Sequence, residues 1–140
     1  MLYNLAVVFD CDGTHVLVCR RRKNPYQGML NFVGGKIKDG EDHTQAAYRE
    51  LREETSISGK DIQLIHIMDF AYPLEDGLIE VYAGILSSKV VISGSENELL
   101  WINTNDDFSD TERFAGCGNI YHIMNYIKTY KARIFTNEKI

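Results

Sequence analysis

Apolar runs bounded by polar residues near the start of the chain predict two neighbouring β-strands. The first runs from Tyr3 to Asp10 and the second from His15 to Arg22. Between them lies Cys11-Asp12-Gly13-Thr14, and an Asp-Gly pair is typical of a tight turn between antiparallel strands. These residues therefore predict a β-hairpin.

Four later runs also have the residue types of β-strands. A short strand over Met29 to Val33 leads to Gly34-Gly35. The longer runs Ile62 to Tyr72 and Leu78 to Leu86 are joined by a turn-rich segment with proline and glycine, and predict a second hairpin. Glu98 to Ile102 follows a polar loop and predicts the last strand.

Two segments repeat apolar residues at helical spacing. In the first, Asp42 is a predicted N-cap, and Ala46, Ala47 and Leu51 form the face turned to the sheet. The second runs from Asn119 to Tyr130. The resulting order β-β-β-α-β-β-β-α predicts an α/β (α+β) protein in which a mixed sheet lies between helices, formed by a single domain over residues 1–140.

Composition narrows the classes of function and partner. The 140 residues are 44% hydrophobic and 25% charged, with a net charge of −5. This acidic balance argues against binding to a nucleic-acid polymer, which favours basic surfaces. No apolar run approaches the roughly 18 residues of a membrane span. The three cysteines have no metal-type spacing, which favours free thiols and a reducing compartment, so we expect a cytoplasmic protein without a membrane partner.

Acidic residues crowd one face of the first helix. Glu50, Glu53 and Glu54 are spaced i, i+3 and i+4, which stacks their carboxylates. Like charges at this spacing destabilise a helix by roughly 0.2–0.5 kcal/mol per pair, and a bound cation removes that cost. Carboxylate oxygens together with a substrate phosphate suit Mg²⁺, with Mn²⁺ as an alternative.

The segment that contains this face resembles the signature of the Nudix (MutT-like) hydrolases, G-x5-E-x7-R-E-U-x-E-E-x-G-U, where U is aliphatic. The positions in register are Gly35, Glu41, Arg49, Glu50, Leu51, Glu53, Glu54 and Ile57. Ser56 stands where the signature has the glycine that follows the helix, and serine is less suited to a left-handed turn. Gly59 offers another position for that turn.

The resemblance implies a Nudix-like α/β/α sandwich and metal-dependent hydrolysis of a nucleoside diphosphate linked to another group. It implies that the Gly35 carbonyl, Glu50, Glu53 and Glu54 hold the metal, and that a loop glutamate before a strand tryptophan adds a carboxylate. Glu96 is the first choice for this catalytic and metal-binding carboxylate, and Glu98 is the alternative. Arg49 is expected to organise the site by pairing with Glu53, or with Glu41 and backbone carbonyls.

The resemblance also suggests a small nucleotide as the substrate, most closely 8-oxo-dGTP, bound by a monomer or a homodimer. An asparagine just ahead of the double glycine reads the base in oxidised-purine nucleotide hydrolases, and another branch of that group uses an asparagine at the last helix. The expected substrate-binding residues are accordingly Asn31, Phe32, Gly34, Gly35, Lys36, Arg20 and Asn119. Asn119 is equally well interpreted as a helix N-cap. Other nucleoside triphosphates, nucleotide sugars, ADP-ribose and a non-enzymatic nucleotide-sensing domain are the alternatives.

Overall fold

A computed structural model describes residues 1–72, 77–94 and 96–135, and within them the predicted order of strands and helices is confirmed with one strand added. The elements are β1 (Leu2–Phe9), β2 (His15–Arg20), β3 (Leu30–Asn31), β4 (Val33–Lys36), α1 (His43–Thr55), β5 (Ile65–Tyr72), β6 (Gly77–Ile85), β7 (Glu98–Asn103) and α2 (Asn119–Ile134). Of the predicted turn between β5 and β6, only Gly77 lies within the described residues.

The first strand organises the sheet. Along one flank, β1 pairs in parallel with β6 from Leu2↔Leu78 to Phe9↔Ile85. Its other flank is divided: β2 pairs antiparallel at Phe9↔Val16, and β4 pairs antiparallel from Tyr3↔Lys36 to Ala6↔Val33. Further out, β5 pairs with β6, while β2 carries β3 and β7. The sheet is therefore mixed, as predicted.

A helix covers each face of the sheet. Side chains alternate between the two faces along each strand, so neighbouring residues of β1 contact different helices. The β1 side chains Val7 and Phe9 pack with Ile123 and Met124 of α2 on one face. On the other face, Ala6 and Val8 pack with Leu51 of α1. Both helices thus bury their apolar stripes against the sheet, which confirms the sandwich architecture.

Helix α1 begins and ends at residues with identifiable capping bonds. At its start, the Asp42 side chain accepts a hydrogen bond from the Gln45 N–H, at 2.9 Å, as predicted. At its end, Ser56 itself adopts the left-handed conformation with φ 70°, and its N–H bonds to the Arg52 carbonyl. The suggestion that Gly59 takes over this turn is wrong, since the left-handed residues of the described chain include Ser56 but not Gly59. The Ser56 hydroxyl bonds to the carbonyl and hydroxyl oxygens of Ser93, at 3.2 and 2.8 Å, which helps to hold serine there.

The second helix begins after Gly118, which occupies the N-cap position with φ 97°. Asn119 is therefore the first helical residue and not the cap. The helix continues to Ile134, beyond the predicted end at Tyr130, where the backbone departs locally from helical geometry. Among the described residues, neither helix combines the length and apolar character that crossing a membrane requires.

Candidate active site

The double glycine lies in strand β4, beyond the end of the strand predicted from the sequence over Met29 to Val33. Close packing explains why glycine is needed at both positions. A Cβ on Gly34 would collide with the backbone carbonyl of Asn4, and a Cβ on Gly35 would collide with the carboxylate of Glu50. The two glycines therefore let β4 lie directly between β1 and the acidic face of α1.

A buried asparagine holds this strand from behind. Asn4 is 2% exposed, and its Oδ1 accepts a hydrogen bond from the Gly35 N–H at 3.1 Å. That bond identifies the side-chain oxygen, so the amide nitrogen Nδ2 points elsewhere. Within the described residues, Nδ2 has no hydrogen-bond partner. Asn4 thus contributes to the position of Gly35 at the expense of an unsatisfied donor.

The three glutamates of α1 occupy different environments. Glu54 is largely enclosed, and its carboxylate accepts a hydrogen bond from the Gly34 N–H. Glu50 lies against Gly35, with its side chain 15% exposed. Glu53 points outward, with its side chain 51% exposed. Glu54 and Glu50 are therefore partly enclosed, whereas Glu53 faces solvent.

Negative charge is concentrated around the enclosed Glu54 carboxylate. Burial, together with the negative charges of Glu50 and Glu96, raises the pKa of Glu54 to about 7, against the lowering effects of the Gly34 hydrogen bond and the positive charge of Arg21. A carboxylate that is costly to ionise in this position is one that a cation would stabilise.

Arg49 ties the acidic face to the preceding loop. Its Nε and Nη2 donate to the two carboxylate oxygens of Glu41, at 2.7 and 3.0 Å. Nη2 also donates to the Lys36 carbonyl at 3.0 Å, while Nη1 donates to Glu50 at 2.9 Å and to Glu53 at 3.2 Å. Hydrogen bonding to Arg49 lowers the pKa of Glu41 to about 2. The predicted contacts of Arg49 are therefore all present.

The donor set suits a hard divalent cation. The Gly35 carbonyl and the carboxylates of Glu50 and Glu54 are oxygen ligands of the kind that Mg²⁺ and Mn²⁺ prefer. In the described part of the chain, no three His, Cys, Asp or Glu side chains already converge as a metal-binding group. The guanidinium of Arg49 bonds to two of the expected ligands, Glu50 and Glu53. A cation would have to compete with Arg49 for these two carboxylates.

The two candidate loop carboxylates, Glu96 and Glu98, differ in their contacts. Glu98 begins β7 and forms an ion pair with Arg20 at 2.9 Å. Glu96 lies exposed in the loop before β7, and its charge acts on Glu54. The placement therefore favours Glu96, the first choice from the sequence, over Glu98.

The residues expected to bind substrate do not all converge. Asn31 pairs with Cys19 and so shares the α1 face of the sheet, whereas Asn119 begins the helix on the opposite face. Pairing of Leu30 with the 113–115 segment brings the chain before Asn119 alongside β3. Arg20 also donates to the Gly28 carbonyl at 3.3 Å, and Lys36 is exposed.

Phe32, an expected substrate-binding residue, belongs to the core, as does Phe108. Phe32 is 2% exposed and Phe108 is 4% exposed, both in the cluster beneath α2. Their rings therefore cannot stack on a ligand in this structure, and the prediction for Phe32 is wrong for its side chain. The reason is that Leu30 and Phe32 both point to the α2 face of the sheet.

Sequence reasoning missed the parts played by Asn4 and Arg21. A polar residue that interrupts the apolar run of β1 was the available signal for Asn4. Arg21 follows the predicted substrate-binding residue Arg20, and its influence on Glu54 depends on the folded chain.

Comparisons with known proteins agree with this geometry. The NUDIX domain family matches residues 4–115. The chain is 29% identical to the 8-oxo-dGTP diphosphatase of Escherichia coli over 68% of this chain and 78% of that protein. It is 37% identical to the CTP pyrophosphohydrolase of Escherichia coli over 41% of this chain, and the match spans 42% of the length of that relative. The structure of the Escherichia coli dihydroneopterin triphosphate pyrophosphohydrolase has the same fold, with a TM-score of 0.71 and 21% identity over 91% of this chain and 95% of that one.

Proposed function

Because the chain belongs to the NUDIX hydrolase family, we propose that it hydrolyses a nucleoside triphosphate to the monophosphate and pyrophosphate, with 8-oxo-dGTP as the preferred substrate. The observation that carries this proposal is the enclosed Glu54 carboxylate, bonded to the Gly34 N–H and flanked by the charges of Glu50 and Glu96. Such a site is suited to neutralisation by a divalent cation beside a phosphate chain.

Several residues of the chain would hold the cation. The Gly35 carbonyl, Glu50 and Glu54 form the inner wall, and Glu53 and Glu96 supply carboxylates from the solvent side. When bound, Mg²⁺ or Mn²⁺ supplies positive charge for the phosphates and lowers the pKa of a coordinated water. Arg49 limits the movement of this wall, because it bonds to the carboxylates and to the Lys36 carbonyl at the same time.

Hydrolysis forms a new bond from water oxygen to phosphorus, breaks the bond to the bridging oxygen, and requires a group that accepts the proton of the water. We assign this proton to Glu96. The carboxylates of α1 already have partners, since Glu50 and Glu53 bond to Arg49 and Glu54 bonds to the Gly34 N–H. Glu96 is exposed on its loop and close enough for its charge to act on Glu54.

The proposal that the substrate carries an oxidised guanine rests on two asparagines and on the relative with the longer match. An amide offers both a hydrogen-bond donor and an acceptor, which the edge of an oxidised guanine requires. Asn31 and Asn119 are the candidates, and the match to the 8-oxo-dGTP diphosphatase spans more of the chain than the match to the CTP pyrophosphohydrolase. CTP is the second candidate substrate, because that shorter match has the higher identity.

The test is kcat/KM for 8-oxo-dGTP, dGTP, CTP and ADP-ribose with Mg²⁺. We expect 8-oxo-dGTP to be preferred over dGTP by more than about tenfold, which corresponds to roughly 1.4 kcal/mol. Asn31→Ala and Asn119→Ala should reduce this preference, whereas Asn125→Ala, at an exposed position of α2, should not. A preference for 8-oxo-dGTP over dGTP below tenfold, or a preference that both asparagine variants retain, contradicts the proposed recognition of oxidised guanine. Higher activity on CTP selects the second candidate.

A further inference from the structure

A row of paired residues crosses the sheet from Gly35 to the outer strand β5. Asn4 of β1 pairs with Gly35 of β4 on one side and with Glu80 of β6 on the other. Glu80 pairs in turn with Asp69 of β5. Residues directly opposite each other on neighbouring strands point to the same face of a sheet. Ala6, two positions after Asn4, packs in the cluster beneath α1, so the whole row lies on the face that α1 covers.

Glu80 is a buried acid in this row, and it is 7% exposed. Its Oε1 accepts a hydrogen bond from the Tyr82 hydroxyl at 2.9 Å, and its Oε2 lies 2.7 Å from Nδ1 of His43, the first residue of α1. A carboxylate only accepts hydrogen bonds, so Nδ1 carries the hydrogen of the second contact. Burial and the bond to Glu80 raise the pKa of Tyr82, which keeps its hydroxyl a donor. Glu80 therefore presents a fixed negative charge beside Asn4.

Asn4 lies between this charge and Gly35. Its Oδ1 accepts the hydrogen bond from the Gly35 N–H at 3.1 Å. Oxygen and nitrogen occupy opposite branches of a planar amide, so Nδ2 is directed away from Gly35. In the part of the chain that the structure describes, this buried nitrogen has no hydrogen-bond partner. Its neighbour on the adjoining strand β6 is the Glu80 side chain.

The charge of Glu80 distinguishes the two possible orientations of the Asn4 amide. In the observed orientation, Oδ1 faces the Gly35 N–H, and the carboxylate attracts the positive end of the amide, Nδ2. After rotation by half a turn, Nδ2 would face the Gly35 N–H and Oδ1 would be turned toward the carboxylate, and both contacts would repel. Water screens such interactions only weakly in a buried site. A neutral side chain at position 80 removes this preference.

We propose that Glu80 is a positioning residue of the metal site, whose charge fixes the Asn4 amide in the orientation that holds Gly35 against the acidic face of α1. This inference rests on the proposed function, because Gly35 matters here as an expected ligand of the cation. Glu80 also ties α1 to β6 through His43. A role as an anchor of the helix start is therefore the alternative that the experiment must separate from a role through Asn4.

The backbone amide resonance of Gly35 reports on this bond without metal and without turnover. In EDTA, Glu80→Gln and Asn4→Ala should both shift the Gly35 amide proton upfield, because each weakens the hydrogen bond of that proton. His43→Ala keeps the charge of Glu80 and removes the anchor of α1, so it should leave the resonance in place. Glu112→Gln, which removes one charge at an exposed position, is the matched control and should do the same. A Gly35 resonance that is unchanged in Glu80→Gln, or that moves equally in His43→Ala, overturns the inference.

Binding of Mn²⁺ then tests the consequence for the cation. Titration followed by the electron paramagnetic resonance signal of the free ion should give a Kd about three- to tenfold higher in Glu80→Gln than in wild type, the scale of one hydrogen bond. Asn4→Ala should raise the Kd by a similar factor. The double variant should bind no more weakly than Asn4→Ala alone, because Glu80 acts through an amide that is already missing. Losses that add in the double variant, or an unchanged Kd in Glu80→Gln, overturn the inference.

The two measurements separate this inference from the proposed function. A wild-type protein that binds no Mn²⁺ refutes the metal site of the proposed function, while the Gly35 resonance still decides whether Glu80 acts on Asn4. Glu80→Gln keeps the size of the native side chain, and thermal unfolding of each variant checks that it is folded. If Asn4→Ala does not fold, the comparison of Glu80→Gln with His43→Ala decides alone, because only the first of these should weaken Mn²⁺ binding.

Discussion

Because Glu54 is enclosed, we predict that one substitution, Glu54→Gln, abolishes turnover and also stabilises the folded protein in the absence of metal. Glu54→Gln keeps the shape of the side chain and removes its charge. Burial, assisted by Glu50 and Glu96, raises the pKa of Glu54 from 4.5 to about 7. At about 1.36 kcal/mol for each pKa unit, ionised Glu54 costs the native state about 3 kcal/mol.

The sign of this effect depends on pH. A carboxyl group whose pKa is raised by folding contributes its stability below the unfolded pKa, and loses it as pH rises through the folded value. Near pH 5, Glu54 is largely protonated in the native protein, so wild type and Glu54→Gln should have similar melting temperatures. Near pH 8, without metal, the variant should be more stable by about 3 kcal/mol, or roughly 10 °C in Tm for a chain of this size.

The assay is thermal unfolding in EDTA from about pH 5 to about pH 9. Glu112→Gln, at an exposed position, is the control for loss of one negative charge and should follow wild type. Adding Mg²⁺ should raise the Tm of wild type, because a ligand that binds only the native state stabilises it, and should do so much less for Glu54→Gln. A gap in Tm that does not widen between pH 5 and pH 8, or wild-type kcat in the variant at saturating Mg²⁺, would refute the reasoning.

The remaining predictions concern the neighbours of this carboxylate. Gly35→Ala should lower kcat at saturating Mg²⁺ by at least about tenfold, because its Cβ displaces Glu50; equal kcat would contradict this contact. Ser56→Ala should be about 1 kcal/mol less stable than Ser56→Gly in urea unfolding, since alanine keeps the left-handed strain and loses the bonds to Ser93; the reverse order would count against it. Arg49→Lys should lower both Tm and kcat, because lysine has no planar fork, and a variant that matches wild type in both measurements would show that the network is dispensable.

Local sequence spacing was sufficient for the parts of the site that lie on one helix. Glu50, Glu53 and Glu54 are within five positions of each other, so helical geometry alone places them on one side. The contact of Arg49 with Glu53, four positions further along the helix, follows from the same geometry. The burial of each carboxylate depends instead on what packs against the helix, and this is what makes Glu54 different from Glu53.

Parts of the site that depend on strand pairing could not be predicted in the same way. Glycines have low strand propensity, so Gly34-Gly35 reads as a loop until its partner is known. The partner is β1, about thirty positions earlier, where Asn4 bonds to the Gly35 N–H. Likewise, the burial of Phe32 depends on which face of the sheet β3 presents to α2.

The divided flank of β1 has a consequence for how this enzyme can diverge over generations. The register of β4 is set by four residue pairs with β1 and by Asn4, and the pairing of β3 with β2 fixes the chain just before it. Insertions or deletions between Arg22 and Met29 can therefore accumulate without moving Gly35 relative to the glutamates, since surface loops tolerate changes in length at small entropic cost.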